Sequence, residues 1–286
     1  MGTIEVETTA ANLRSRLDKE RAAGRLVGLV PTMGYLHGGH ASLIDAAVAG
    51  NDLTVVSVFV NPLQFAPDED LADYPRDMEA DLKVCTRHGA DLVFTPAVRE
   101  MYPESGLPVV EVGDLAFCFE GASRPTHFPG VVSAVSRLFQ IIGTCRAYFG
   151  EKDFQQLAVV RQMVADYSIP VGVVGCPTVR AHDGLALSSR NAYLTSAERE
   201  EASVLHRALQ VGAEIVVGGE TDPEVVTALM AEVIDAATTG ELDYVAVVDP
   251  DTFETPSRIT GTGVRLLVAC QFGQARLIDN MGAVPA

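Results

Sequence analysis

Five short apolar runs alternate with helical patterns through the first 178 residues, and this alternation restricts the chain more than any other feature. The runs are Arg25–Val30, Leu53–Val60, Asp91–Phe94, Ala147–Phe149 and Val171–Val174. Continuous apolar strands of this kind, rich in β-branched residues, suit a parallel sheet that is covered on both faces. Between them, His40–Ala49, Met78–His88, Val131–Ile142 and Phe154–Tyr167 carry helical periodicity. Strand followed by helix, repeated, predicts βαβ units and a Rossmann-like, doubly wound α/β domain. The pattern then changes. Ser196–Val217 and Asp222–Ala237 read as amphipathic helices with Ser196 and Asp222 as N-caps, joined by Gly218–Gly219. Strand-like runs follow at Tyr244–Val248, Val264–Ala269 and Ala275–Ile278, with a turn at Gly261–Gly263. The expected organisation is residues 1–178 as a nucleotide domain and 179–286 as a smaller, lid-like α/β domain.

The chain of 286 residues is 48% apolar and carries a formal charge of −17. Such a charge argues against a nucleic-acid surface, which needs a basic face. No apolar run is long enough to span a membrane, and the N-terminus has no signal-like apolar core, so a cytoplasmic protein is expected. Five cysteines, Cys85, Cys118, Cys145, Cys176 and Cys270, form no CxxC pair and read as buried thiols. With lysine only at 19, 83 and 152, an acidic chain that handles an anion must concentrate its few cations locally.

Pro31–His40, PTMGYLHGGH, ends the first of these runs and opens a helix. Ligands of open parallel sheets bind beyond the carboxyl ends of the strands. Gly34, Gly38 and Gly39 let backbone approach a ligand, the helix N-terminus suits phosphate, and His37 and His40 add donors. A zinc site from the two histidines lacks a third ligand at recognisable spacing. This segment is expected to hold nucleotide phosphate. Asn61 and Gln64 in Phe59–Phe65, FVNPLQF, lie at the end of the next strand, where uncharged amides suit a small polar substrate. Gly150–Gln156, GEKDFQQ, repeats the strand-to-helix placement. Its Lys152 can meet charge that develops on phosphate, while Asp153 is a fair N-cap. Gln155 and Gln156 point to different faces of their helix, so one of them faces the site. Leu187–Asn191, LSSRN, reads either as a phosphate clamp or as an ST-turn with a surface arginine. Arg124–Val131, RPTHFPGV, adds an arginine and a histidine before a helix, or is simply an ordered loop.

These segments, with Tyr74–Arg76, resemble the pantoate–β-alanine ligase family in the family's order along nearly the whole chain. The first is also similar to the HIGH motif of class I nucleotidyltransferases, and LSSRN to that superfamily's later lysine-serine loop. The resemblance implies an ATP-dependent joining of (R)-pantoate to β-alanine through pantoyl adenylate, giving pantothenate, AMP and pyrophosphate. It implies ATP contacts from Met33, Gly34, Tyr35, Leu36, His37, Gly38, Gly39 and His40, with His40 as general acid. Further ATP contacts would come from Gly150, Glu151, Lys152, Asp153, Val179, Leu187, Ser188, Ser189 and Arg190. Gln64 would hold both pantoate and β-alanine, Gln156 would hold pantoate, and Asn61 would serve the same pantoate pocket. His37, His40 and Lys152 would act on the departing pyrophosphate. A homodimer is the family expectation.

Three positions depart from the family pattern. Tyr35 stands where a small residue is common and is large enough to narrow the entrance; Gly39 replaces a glutamate and Leu187 a methionine. Where some members hold magnesium just after YPR, Ala80 and Val84 occupy two ligand positions and Asp81 alone matches. No protein-held metal is therefore expected, and Mg2+ is expected to arrive with ATP. Two competing functions are a nucleotidyltransferase acting on a phosphate ester and a catalytically silent nucleotide-binding regulator. Uncharged Gln64 and Gln156 weigh against the first, because a phosphate substrate would meet Arg or Lys. Joint retention of His37, His40 and Lys152 weighs against the second.

Overall fold

The computed structural model describes residues 4–67, 69, 71–103, 110 and 112–286. The chain forms two compact units. The first takes the chain up to Glu151 together with Gln155–Pro177, and the second takes Lys152–Phe154 and Thr178–Ala286.

The first unit is built on a six-stranded parallel sheet of β1 (Glu5–Glu7), β2 (Val27–Thr32), β3 (Leu53–Val58), β4 (Leu92–Phe94), β5 (Cys145–Gly150) and β6 (Val171–Cys176). Its spatial order is β1-β4-β3-β2-β5-β6, so successive connections reverse direction between β2 and β5. Helices α1 (Ala10–Ala22), α2 (Gly38–Gly50), α3 (Met78–Arg87), α4 (Val98–Met101), α5 (Glu120–Ser123), α6 (His127–Ile142) and α7 (Phe154–Asp166) connect or cover the strands. Alternating strand residues divide between two cores. Leu29 and Val55 join Leu13, Leu17, Ile141 and Leu157 from α1, α6 and α7. Val30 and Val56 join Leu43, Ile44 and Cys85 from α2 and α3 on the other face. Both faces are covered, which is why these strands read as unbroken apolar runs.

The expected Rossmann-like arrangement is present, with three differences of detail. First, β1 and α1 were not among the expected elements. Glu5–Glu7 is short and polar, and α1 buries only Leu13, Leu17 and Glu20, too few to give a strong periodic signal. Its arginines do other work: Arg21 Nε donates to the Thr144 carbonyl at 3.1 Å and a second nitrogen donates to that of Ile142. They satisfy acceptors left open where α6 ends. Second, β2 continues through Pro31 to Thr32 instead of ending before the proline. Among the described residues, β2 pairs with β5 at Gly28 and Leu29 alone, so Pro31 needs no N–H on that side. Third, α6 begins at His127, inside RPTHFPGV.

The second unit packs α9 (Val204–Val217) and α10 (Pro223–Asp235) on an antiparallel sheet of β7 (Gly240–Val248), β8 (Val264–Phe272) and β9 (Ala275–Ala283). Leu205, Ala208 and Leu209 from α9 and Val226, Met230 and Ile234 from α10 meet Leu266 and Val268 at helical spacing. The single helix expected over Ser196–Val217 is two, because α8 (Ser196–Glu201) stops at a turn in which Leu205 N–H bonds to the Ala202 carbonyl and the Ser203 hydroxyl to that of Glu200. The cap of α8 is Thr195, not Ser196: only Thr195 has a glutamate, Glu198, three residues on to complete a capping box. Asp222 does cap α10.

Cys85, Cys145, Cys176 and Cys270 are buried and Cys118 is half-buried; all five are free thiols. Burial pushes Cys85, Cys145 and Cys270 up to about 12, which leaves them inert. Among the described residues no helix is long and apolar enough to cross a membrane.

One glycine fixes how closely α6 approaches the 3₁₀ turn Pro62–Gln64. A Cβ on Gly130 would lie 2.2 Å from the Leu63 carbonyl oxygen, with backbone rather than a flexible side chain in the way. Gly130→Ala is expected to lower stability by about 1–3 kcal/mol, as overpacking does. Urea unfolding measures it, and an unchanged midpoint would show that the turn can retreat.

Candidate active site

Where a doubly wound sheet changes direction, the crossovers leave to opposite faces and open a crevice at the strand ends. Here α2, which follows β2, packs on one face, and α7, which follows β5, packs on the other. The ends of β2 and β5 are Thr32 and Gly150. The segments read as phosphate-binding, Met33–His40 and Gly150–Glu151, therefore leave adjacent strands at the switch point.

The Met33–His40 turn has a left-handed course. Gly34 sits at φ +87 and Tyr35 at φ 52. A non-glycine residue there costs about 1–2 kcal/mol. The compensation comes from Asp81 of α3, which is buried. Its two carboxylate oxygens accept the backbone N–H groups of Tyr35 at 3.0 Å and Leu36 at 2.7 Å. Two such hydrogen bonds, worth about 0.5–1.5 kcal/mol each, offset a strain of this size. A side chain on Gly34 would meet Asp81 Oδ2 at 2.9 Å.

Beyond the turn, the histidines cap α2. His37 Nδ1 accepts the Gly39 N–H at 3.1 Å, and His40 Nδ1 accepts the His37 N–H at 3.3 Å. Their rings lie 4.1 Å apart. With Nδ1 an acceptor in both, each neutral ring carries its proton on Nε2. The cap thus fixes the tautomer and makes Nε2 of each ring a donor.

Beside it lies an amide cluster. Gln64 Nε2 is 2.9 Å from Met33 Sδ, and Asn61 Nδ2 donates to Gln64 Oε1 at 3.1 Å and to the Gly130 carbonyl at 3.0 Å. Asn61 is 1% exposed. Its Oδ1 accepts the Leu63 N–H and, at 2.6 Å, the phenol of Tyr102. Burial pushes the Tyr102 phenol up, so it stays a donor. Arg124 and His127 hold the Gln64 carbonyl, at 3.3 and 3.2 Å, while Arg124 pairs with Glu69 at 2.6 Å. The segment RPTHFPGV is thus a short turn, Arg124–Thr126, that runs into α6 at His127, and Arg124 and His127 fix the backbone of Gln64. On α7, Gln155 is buried against the backbone of Leu115, Cys118 and Glu120, and Gln156 is the half-buried neighbour.

The remaining predicted residues, Lys152, Asp153, Val179 and Leu187–Arg190, belong to the second unit. Lys152 Nζ lies 3.3 Å from Asp153 Oδ1. Val179 and Leu187 close a small hairpin, with the Leu187 N–H on the Val179 carbonyl at 2.9 Å and a bridge between Arg180 and Ala186. Ser188 Oγ accepts the Arg190 N–H at 3.3 Å, so this segment does form an ST-type cap, on a 3₁₀ turn in which Ser189 is buried.

Magnesium held by the protein does not fit these residues. Both oxygens of Asp81 face the Tyr35 and Leu36 backbone, Ala80 and Val84 offer no ligand, and among the described residues no group of three His, Cys, Asp or Glu is placed to hold an ion. Sequence reasoning missed the clamp because it set Asp81 only against the family's magnesium position, and nothing in the spacing pairs α3 with the turn at Tyr35–Leu36. It also missed Tyr102, an aromatic with a polar tip whose partner Asn61 lies 41 residues earlier in the chain.

A switch-point crevice with a histidine-capped helix and a buried amide cluster defines an α/β enzyme of nucleotide-dependent chemistry. The model of the family described as pantoate-beta-alanine ligase matches residues 5–282, and the chain belongs to that family. Pantothenate synthetases of Sinorhizobium medicae (strain WSM419) and Moorella thermoacetica (strain ATCC 39073 / JCM 9320) are each 48% identical over 278 residues, 97% of this chain and 96% and 98% of theirs. The crystal structure of pantothenate synthetase from Thermus thermophilus superposes with a TM-score of 0.93 at 48% identity, covering 99% of this chain and 100% of that one. Pantoate-beta-alanine ligase from Francisella tularensis, complexed with beta-gamma ATP and beta-alanine, gives 0.80 at 32% identity, covering 98% and 97%. The chain is accordingly an ATP-dependent ligase.

Burial pushes the Asp81 carboxyl up against the opposing pull of the Leu36 and Tyr35 N–H groups, with Asp77 adding to the rise. A carboxyl whose native pKa is raised holds its proton more tightly folded than unfolded. Its contribution to stability is therefore full below the ordinary carboxylate range and lost as pH rises through the raised value. The stability difference between wild type and Asp81→Asn should shrink as pH rises from about 4. Urea unfolding of both proteins across pH tests this, and a difference that grows with pH would refute it.

Proposed function

We propose that this enzyme joins (R)-pantoate to β-alanine in two steps on one ATP. The observation that carries the reading is the histidine cap, which supports two Nε2 donors at the start of α2, beside the Met33–Gln64–Asn61 cluster. In the first step a pantoate carboxylate oxygen attacks the α-phosphorus. The bond from that phosphorus to the bridging oxygen breaks, and the electron pair leaves with pyrophosphate. The product is pantoyl adenylate, a mixed anhydride. In the second step the β-alanine nitrogen attacks the anhydride carbonyl, the carbon–oxygen bond breaks, and AMP departs while the amine loses a proton.

Met33–His40, Gly150, Glu151, Lys152, Asp153, Val179 and Leu187–Arg190 bind ATP. His37, His40 and Lys152 meet the charge that grows on pyrophosphate, with His40 as general acid. Positioning and electrostatics supply the rate, without a covalent enzyme intermediate. Gln64 takes pantoate and β-alanine, and Gln156 takes pantoate. Asn61, buried and bonded on every side, serves pantoate by setting the Gln64 amide. An amide pocket suits a hydroxy acid better than a phosphate ester. Mg2+ arrives on the ATP phosphates. The resemblance also supports a homodimer working in the cytoplasm.

Exchange of labelled pyrophosphate into ATP is expected with (R)-pantoate present and β-alanine absent; its absence would sink the adenylate mechanism. His40→Ala is expected to lower turnover at least about tenfold with the fold retained. Steady-state kinetics on the folded variant measure this, and near-normal turnover removes His40 from the chemistry.

A further inference from the structure

Adjacent strand residues normally face opposite sides of a sheet, yet Asp279 and Asn280 of β9 are both buried, at 3% and 4% exposed. Each is tied to a different piece of the second unit. Asp279 accepts two nitrogens of Arg180, one of them at 2.9 Å on Oδ1, in a forked pair. Arg180 also donates to the Gly184 carbonyl at 3.0 Å and to the Asn280 carbonyl at 3.4 Å. Arg180 stands next to Val179, so this fork pins the Val179–Leu187 hairpin to β9.

Asn280 holds the other piece. Its Nδ2 donates to the backbone carbonyl of Lys152 at 2.8 Å. Its Oδ1 accepts Arg265 Nε at 2.7 Å and a second Arg265 nitrogen. Arg265 in turn lies 4.0 Å over the ring of Phe154, which stacks on Phe253 at 5.7 Å between centroids. Residues 152–154 are thus gripped at a carbonyl and at a ring. The Asn280 N–H closes the link by donating to Asp279 Oδ1 at 2.7 Å.

We infer that Asp279 and Asn280 are positioning residues, which hold Lys152 and the Val179–Leu187 hairpin in one frame so that the two approach ATP in fixed register. The inference rests on the ATP roles proposed above for Lys152, Val179 and Leu187. A planar amide and a carboxylate suit this task. Each presents fixed directions, and both are sheltered from water, where competing hydrogen bonds would loosen the frame.

The frame has two arms, and they can be cut separately. Asn280→Asp keeps the shape and the acceptor for Arg265 but turns an oxygen toward the Lys152 carbonyl. Arg180→Lys keeps the charge but loses the fork to Asp279. Lys152 acts on charge that develops during reaction, so Asn280→Asp should lower kcat about tenfold with KM for ATP changed less than about threefold. The hairpin binds ATP in both ground and transition states, so Arg180→Lys should raise KM for ATP about fivefold or more while kcat holds. KM for pantoate and for β-alanine should hold in both. Thermal unfolding identifies the folded variants, and if Asn280→Asp does not fold, the Arg180→Lys result decides alone. Wild-type kinetics in a folded variant, or kcat and KM for ATP moving together in both, would overturn the positioning role. Pantoate-dependent exchange by the wild type is the control. Its absence defeats the ligase mechanism, and this inference with it; its presence alongside unaffected variants defeats only the inference.

Discussion

The reversal of connection between β2 and β5 is the constraint on which the first unit depends. Strands paired in parallel must be joined by crossovers, and crossovers that leave to opposite faces cannot fill the space above the strands between them. In this chain the β2–β5 ladder stops at Leu29 and Ala147, well before the strands end. Pro31 can therefore occupy a strand without breaking a bond on that side. The crevice is a product of topology before any ligand-binding residue is considered.

What topology opens, polar groups must shape. The left-handed turn at Gly34–Tyr35 is unfavourable alone, and Asp81 reaches it from a helix that is distant in sequence. The turn leads directly into His37, whose ring closes the first open N–H groups of α2. Clamp, turn and cap thus form a short causal chain, and each member fixes the geometry of the next. Gln64 is set in the same way, with its amide oriented by Asn61 and its carbonyl by Arg124 and His127.

Much of this was legible in the sequence, for identifiable reasons. Leu53–Val58 is buried at every position, so its apolar run was unmistakable. PTMGYLHGGH sits at a strand end because strand and helix patterns meet there. The alternatives left at Gln155–Gln156 narrow once Gln155 is found buried against the backbone of Leu115, Cys118 and Glu120. What escaped depended on distant partners. β1 and α1 are polar, and their place comes from contacts with β4 and α6. The break at Ala202–Ser203 has no glycine or proline to announce it. Asp81, Tyr102, Asp279 and Asn280 act through residues far along the chain, and spacing carries no record of such pairs. The polar pair inside the apolar stretch Ala275–Ala283 was an anomaly open to notice.

Residues 152–154 belong to the second unit, although the chain on either side of them belongs to the first. The path therefore changes unit three times, and no single cut separates the two. A fragment ending near 178 would carry the Lys152 segment without Asn280, Arg265 or Phe253, and a fragment beginning there would keep those residues with nothing to grip. The C-terminal unit is thus not a module that recombination could exchange as one piece. A graft between relatives would have to carry the tripeptide along with it, as if two distant stretches of gene were one inherited part.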